Sequence, residues 1–215
     1  LKDDVIVRED KENKTNHIWH WEAGDKAATD AVFNDAATVV KEKLYIPRIH
    51  VSSIETCGMV ANYNKAREHM QIYMTSQAPL AHRTVFALVS GLPEHKIQII
   101  SPDIGGGFGG KVPVYPGYVI CAVASLVTGK PVKWIEDRSE NLQADSFARD
   151  YHIEAEMAAD NDGKITGLRV KTLSDCGAAD AAANPSKFPA GLYSICTGSY
   201  DMKAAHVEVD GVYTT

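Results

Sequence analysis

The sequence predicts a mixed α/β or α+β fold, with mixed sheets packed against helices, and three observations carry that prediction. A strand, loop, helix, strand order runs through the middle of the chain: Ile97-Gln98-Ile99-Ile100, a glycine loop, the apolar stretch Tyr118 to Val127, the turn Thr128-Gly129-Lys130-Pro131, and Val132-Lys133-Trp134-Ile135. Further on, Tyr151, Ile153, Ala155 and Met157 alternate with polar residues up to the turn Asp160-Asn161-Asp162-Gly163-Lys164. Ile165 to Val170 then pairs back as the second arm of a hairpin. Third, Val85, Phe86, Leu88 and Val89 recur at helical spacing in Arg83 to Gly91, and Gly91 with Pro93 ends that helix.

The remaining elements follow in order. Leu1 to Asn16 is dense in charge and has no apolar period, so it is expected to be a solvated arm or linker, leaving 17–215 as one body. In His17-Ile18-Trp19-His20-Trp21, alternation predicts a strand with His17, Trp19 and Trp21 on one side and Ile18 and His20 on the other. Its two histidines lack a nearby third ligand, which favours a half-buried strand over a metal site. Asp25 to Phe33 predicts a short helix capped by Asp25, and Thr38 to Ile46 a β-branched strand. Gln71 to Thr75 predicts a strand whose end, before Pro79, presents Gln77; that side chain is either a turn cap or a group aimed into a cleft. Glu55 suits a structural carboxylate as well as a functional one. Glu136 to Asn141 is expected to be a solvated, charge-rich surface. Asp160-Asn161-Asp162-Gly163 lacks the spacing and terminal Glu of a calcium loop, so a turn is expected there. Asp175 to Ala190 is rich in small residues, and Ser199 to Asp210 alternates again.

Composition narrows the classes. A chain of 215 residues with 45% hydrophobic and 23% charged residues can bury a full core without disulfides. Cys57, Cys121, Cys176 and Cys196 contain no C-x-x-C pair, which argues against a zinc ribbon or thiol redox motif and suits a reducing cytoplasm; Cys121 reads as a core residue. A net charge of −6 leaves no basic footprint for nucleic acid. The longest apolar run, Tyr118 to Val127, is far short of the ~20 residues of a membrane span.

The stretch Ser101-Pro102-Asp103-Ile104-Gly105-Gly106-Gly107-Phe108-Gly109-Gly110-Lys111 is the strongest candidate for function. Its backbone can adopt positive φ and let another molecule reach its amide N–H groups. Gly105, Gly107 and Gly110 satisfy a dinucleotide fingerprint, and Gly105 with Gly110-Lys111 satisfies most of a P-loop. Against these readings, Pro113 and Pro116 separate the glycines from the next helix, and Val112 stands where a magnesium-binding hydroxyl belongs. A tight turn alone would seldom need so many glycines.

Gly-Gly-Gly-Phe-Gly-Gly-Lys, together with Thr75-Ser76-Gln77-Ala78-Pro79, resembles the cofactor-facing part of the large subunit of molybdenum hydroxylases, the xanthine oxidase family. Supporting stretches are Ile54-Glu55-Thr56-Cys57, Ser90 to Lys96, Tyr115-Pro116-Gly117-Tyr118, Val132 to Arg138, Ser146 to His152 and Ile195 to Met202, so the likeness runs from about residue 16 to the end. Within the family it most resembles the branch that oxidises carbon monoxide. The resemblance implies that the chain is an interior portion of a longer subunit, consistent with the absence of an initiating Met.

It also implies a molybdopterin cytosine dinucleotide carrying molybdenum, with copper in the full enzyme, and FAD and 2Fe-2S centres on partner subunits. Those partners would be an iron–sulfur small subunit and a flavin-binding medium subunit, in a dimer of heterotrimers acting on a small gaseous or small-molecule substrate. Gly106, Gly107, Phe108 and Gly109 would lie beside the cofactor, Phe108 fencing the metal, and Gln77 would bond its apical oxo group. Val112 takes the place of the Glu with which purine hydroxylases hold their heterocycle, which favours a very small, uncharged substrate. The family's copper-binding Cys and its catalytic Glu would lie beyond Thr215, so no catalytic residue and no metal ligand is assigned here, and the piece alone is expected to be inert. The other readings kept open are an aldehyde- or heterocycle-oxidising relative and a non-catalytic α/β nucleotide-binding or interaction module.

Overall fold

The computed structural model describes residues 6–10, 12, 14–178 and 195–214. The chain divides into two compact units, one made of 1–49 with 149–215 and the other of 50–148. Each holds a mixed sheet, as the fold class requires. No helix among the described residues is long and apolar enough to cross a membrane.

The unit 50–148 is a four-stranded sheet covered on one face by helices. Its strands are β3 (Gly58–Asn64), β4 (His69–Met74), β5 (Ile97–Ile100) and β6 (Val132–Ile135), in the order β5-β4-β3-β6. β4 and β5 run parallel, joined through α2 (Pro79–Ser90), and the other pairs are antiparallel. Period-two alternation sends Met59, Ala61, Met70, Ile72 and Met74 to the covered face, where they meet Phe86 of α2 and Tyr118, Cys121 and Ala122 of α3 (Pro116–Thr128). Burying a side chain such as Phe86 stabilises by roughly 1.5–3 kcal/mol. Both helices begin on proline, whose missing N–H costs nothing at a first turn, and both stop at a left-handed glycine, Gly91 and Gly129. α2 therefore starts at Pro79 rather than Arg83, because Pro79 initiates it instead of closing the preceding strand. β3 gave little signal of its own: Gly58 to Asn64 has one β-branched residue and draws its order from two neighbours.

The expected solvated surface at Glu136 to Asn141 holds for Asp137, Ser139 and Glu140 but not for the two ends of the segment. Asp137 caps α4 (Arg138–Ala144) in a reciprocal box with Glu140, while Glu136 and Asn141 turn inward and are buried.

The other unit is a five-stranded sheet in the order β1-β9-β8-β7-β2, with β8 and β9 parallel and the rest antiparallel. Its strands are β1 (His17–Gly24), β2 (Thr38–Ile46), β7 (Tyr151–Ala159), β8 (Ile165–Asp175) and β9 (Ala204–Val212). The expected hairpin joins β7 and β8 through Asp160, whose Oδ1 accepts the N–H groups of Asp162 and Lys164. Helix α1 (Lys26–Asn34) is capped by Asp25 as expected. One face of the sheet packs Leu168, Val170, Val207 and Val209 with Trp19 and Trp21. In β1 an irregularity between His17 and Trp19 upsets the expected alternation: His17 Nε2 and His20 Nδ1 both reach Asp210 Oδ1, at 3.0 and 2.8 Å. Most of Asp175 to Ala190 lies outside the described residues.

Candidate functional site

The glycine loop leaves β5, an edge strand of the four-stranded sheet, and returns to the chain that opens α3. Glu55 and Gln77 anchor it from two sides.

Glu55 takes the loop at its start. Its backbone N–H donates to Gly105 O at 3.1 Å, and its Oε2 accepts the Gly105 N–H at 2.8 Å. The same oxygen accepts from Lys111 Nζ at 2.7 Å, so one carboxylate ties together the first glycine and the lysine that ends the run. Lys111 is only 2% exposed. Partial burial opposes ionisation of Glu55, but the Lys111 ammonium and the Gly105 N–H outweigh it and hold the carboxyl below its ordinary range. The Lys111 ammonium is buried against Glu55 instead of reaching out of the loop toward a phosphate, and Gly110 lies well short of Pro116, where the helix begins. Both nucleotide readings of the loop therefore fail on geometry.

Gln77 takes the loop at its far side. Its N–H donates to Lys111 O at 3.0 Å, and its Oε1 accepts the N–H groups of Gly109 at 3.1 Å and Lys111 at 3.0 Å. Two amide donors on one oxygen define which end of the side chain faces the loop. Its Nε2, with two hydrogens, is left as a donor on an exposed residue. At Gly107 a Cβ would collide with the Gln77 amide carbon, so only glycine permits this approach.

Between these anchors the loop shows a bare backbone. Gly106 (φ 98°) and Gly109 (φ 90°) adopt left-handed conformations, and Phe108 (φ 52°) does so with a full side chain that is 75% exposed. The N–H groups of Gly106, Gly107 and Phe108 donate to no acceptor among the described residues, whereas the Gly109 N–H is engaged by Gln77. Three free amides, the Gln77 amide and an outward aromatic ring make a cradle of donors with one apolar wall. That set matches an oxygen-rich anionic group such as a phosphate or a metal–oxo centre. The fit is to a cofactor with many acceptor oxygens.

The support under the loop carries residues whose roles the sequence left unassigned. Tyr115 OH donates to Gly110 O at 2.7 Å and accepts the Ser146 N–H at 3.3 Å; burial raises its phenol to about 12, keeping it a donor. His82, fully buried on α2, joins Ser76 Oγ at 2.6 Å and Pro113 O at 3.1 Å. Burial lowers its pKa despite the backbone contacts that raise it, so it stays neutral. These roles combine near contacts, Tyr115 with Gly110 and His82 with Ser76, with distant ones, Tyr115 with Ser146 and His82 with Pro113. The one local signal was Lys111 closing the glycine run.

A family model described as the molybdopterin cofactor-binding domain matches residues 8–215. The chain is 55% identical to the carbon monoxide dehydrogenase large chain of Hydrogenophaga pseudoflava, over 100% of its own length and 28% of that protein's. It superposes with a TM-score of 0.90 on a chain of reconstituted CO dehydrogenase from Oligotropha carboxidovorans, at 52% identity, covering 100% of this chain and 28% of that one. A Cu,Mo-CO dehydrogenase in its carbon monoxide reduced state matches with a TM-score of 0.88 and 53% identity, over 99% of this chain and 28% of that one. This chain thus spans little more than a quarter of the relatives it matches. These similarities agree with the resemblance carried by the glycine loop and its flanking stretches.

Proposed function

The chain belongs to the molybdopterin cofactor-binding domain family, and from that premise we propose that it forms part of the cofactor pocket of a molybdenum-dependent oxidoreductase converting carbon monoxide and water to carbon dioxide. The observation that carries the cofactor assignment is the freed Nε2 of Gln77 beside three unpartnered loop amides. Identity of 55% to a carbon monoxide dehydrogenase large chain supports the substrate, as does Val112 at the end of the loop, which offers a heterocycle no hydrogen bond.

When bound, the cofactor would supply a two-electron oxidation with oxygen drawn from water, and an iron–sulfur small subunit carrying 2Fe-2S and a medium subunit carrying FAD would be the partners that accept the electrons. This chain's residues hold and orient. Gln77 would donate through Nε2 to an oxo oxygen of the bound cofactor, its orientation held by the Gly109 and Lys111 N–H groups. Gly106 and Gly107 offer backbone N–H groups to the cofactor's oxygens, and Phe108 closes the pocket against water. Gly109 acts through Gln77. The pterin as a cytosine dinucleotide, copper beside molybdenum, and a dimer of heterotrimers belong to the same proposal. The four free cysteines support a reducing, cytoplasmic setting.

The test is the full-length protein produced with its partner subunits. The expected result is carbon monoxide-dependent dye reduction, with one molybdenum and one cytidine monophosphate released per large chain on acid hydrolysis. Gln77→Ala should lose activity at least tenfold. Turnover of aldehydes or N-heterocycles without turnover of carbon monoxide would move the assignment to another branch of the family.

A further inference from the structure

We propose that Cys57, Glu136 and Asp145 enclose one shared proton, with Asp145 a neutral carboxylic acid donating through Oδ1 to the Glu136 carboxylate. The inference is independent of the cofactor assignment.

The three residues come from separate segment ends: Cys57 precedes β3, Glu136 follows β6 and Asp145 caps the C-terminus of α4. They are 1%, 2% and 8% exposed, and one ligand-type atom of each lies within 4.8 Å of the others. Asn141 Nδ2 donates to Glu136 Oε2 at 3.0 Å and to Asp145 Oδ2 at 2.6 Å. The Cys57 N–H donates to Glu136 Oε2 at 3.2 Å, and the Cys57 thiol points to Asp145 Oδ2 at 3.6 Å. Every one of these donors is spent on Oε2 or Oδ2. Asp145 Oδ1 is buried and has no hydrogen-bond partner among the described residues.

Among the described residues no cation faces the pair. Among the described residues neither carboxylate has an ion pair, and the nearby Arg138 is turned to Asn141 Oδ1 and to the carbonyls of Ser53 and Ile54. The other titratable neighbours are the Cys57 thiol and the phenols of Tyr115 and Tyr118, all kept neutral by burial, and His50, whose Nε2 meets Asn141 O at 3.0 Å rather than either carboxylate. Two buried carboxylates with no counter-charge are strongly unfavourable; one proton removes half the charge and turns the orphaned acceptor into a donor. Burial first, then the Glu136 hydrogen bond and charge, push Asp145 in the same direction, far above its ordinary range. A metal ion is the other way to neutralise the pair, but the N–H groups of Cys57 and Asn141 already point at Glu136 Oε2 and Asp145 Oδ2, an arrangement that favours a proton over a cation there. The proton has a place in the architecture: Ser146, next to Asp145, donates to the Tyr115 hydroxyl that holds Gly110.

Infrared difference spectroscopy on the full-length protein tests this. Wild type minus Asp145→Asn at pH 6 should show one carboxylic acid C=O band that shifts in D2O, and wild type minus Asp162→Asn should show none. In Glu136→Gln the amide supplies the missing donor, Asp145 ionises, and the band disappears; this variant decides the matter if Asp145→Asn does not fold. Absence of the band from wild type, its survival in both variants, or a stoichiometric metal other than molybdenum that is lost in Cys57→Ser would overturn the proposal.

Discussion

The two units place their charges in opposite ways. On the five-stranded sheet, Lys41 and Lys43 of β2 meet Glu156 and Glu154 of β7 at 2.6 and 2.7 Å, and Arg169 of β8 joins Glu156 at 2.7 Å. These pairs line a polar face, and Lys43 with Glu154 is 83% and 59% exposed. In the unit 50–148 some ionisable groups go inside: Lys111, Glu136 and Asp145 are all buried, each held by named donors or acceptors. An exposed pair gains little over its hydration, whereas a buried charge persists only if its surroundings specify its partner. The buried set surrounds the glycine loop and the segment ends beneath it. Burial of charge thus marks the part of the molecule whose geometry is tightly specified, and it does so in the unit poorer in charge, where 16 of 99 residues are Asp, Glu, Lys or Arg against 34 of 116 in the other.

The largest break in that contrast should come from Gly107→Val. A Cβ there collides with the Gln77 side chain, which can yield only by giving up its hydrogen bonds to two loop amides. Overpacking of this kind costs about 1–3 kcal/mol or more. Because the displaced residue is the proposed donor to the cofactor, molybdenum content of the full-length protein should fall below a tenth of wild type, read by elemental analysis alongside thermal unfolding. Retention of full molybdenum would separate the loop from the cofactor.

Lys111→Met comes next. Breaking a fully buried pair costs roughly 3–5 kcal/mol; here the Glu55 side chain is 41% exposed and can be rehydrated, so about 1–3 kcal/mol is expected from denaturant unfolding. Glu55 also gives the change a pH signature. Its folded pKa is lowered, so its contribution is present above the ordinary glutamate value of 4.5 and is lost as pH falls through the lower, folded value. Lys111→Met should flatten that acid limb; an unchanged limb would mean the pair does not set it.

His82 gives a smaller effect in a different window. It is buried neutral with its pKa lowered, so the stability tied to it is complete above 6.5 and declines as pH falls below that value toward the folded pKa. His82→Gln keeps a donor for Pro113 O and an acceptor for Ser76. It should cost about 1–2 kcal/mol at neutral pH and remove the loss that begins below 6.5, measured as unfolding midpoint against pH.

How much of this was legible in the sequence follows from the range of the contacts involved. The hairpin, α3, β5 and the Asp25 cap were readable because local periodicity and turn chemistry decide them. Gln77 and the loop were readable as candidates because a run of glycines around one exposed Phe has few structural uses. Lys111 gave no sign of its burial, since that depends on Glu55, far away in the chain. Glu136 and Asn141 were read as solvated for the same reason: their charged neighbours suggested surface, and only the closure of β6 and α4 around Cys57 turns them inward. His17 was misplaced by a single irregularity in β1, which period-two reasoning cannot anticipate.

The smallest expected effect is the one that sharpens the contrast most. Lys43→Met removes an ammonium at 2.7 Å from Glu154, the same separation as Lys111 from Glu55. Distance alone would rank the two pairs as equals. Lys43 is ionised in water whether or not Glu154 is near, and on release both groups regain hydration and side-chain freedom, offsetting the lost attraction. The expected result is an unfolding midpoint indistinguishable from wild type at moderate salt, beside the clear loss in Lys111→Met. If Lys43→Met instead destabilised as much as Lys111→Met, the exposed face of β2 and β7 would have to be shielded from solvent in the folded protein, and solvent exposure of the pair would no longer explain the difference between the two units.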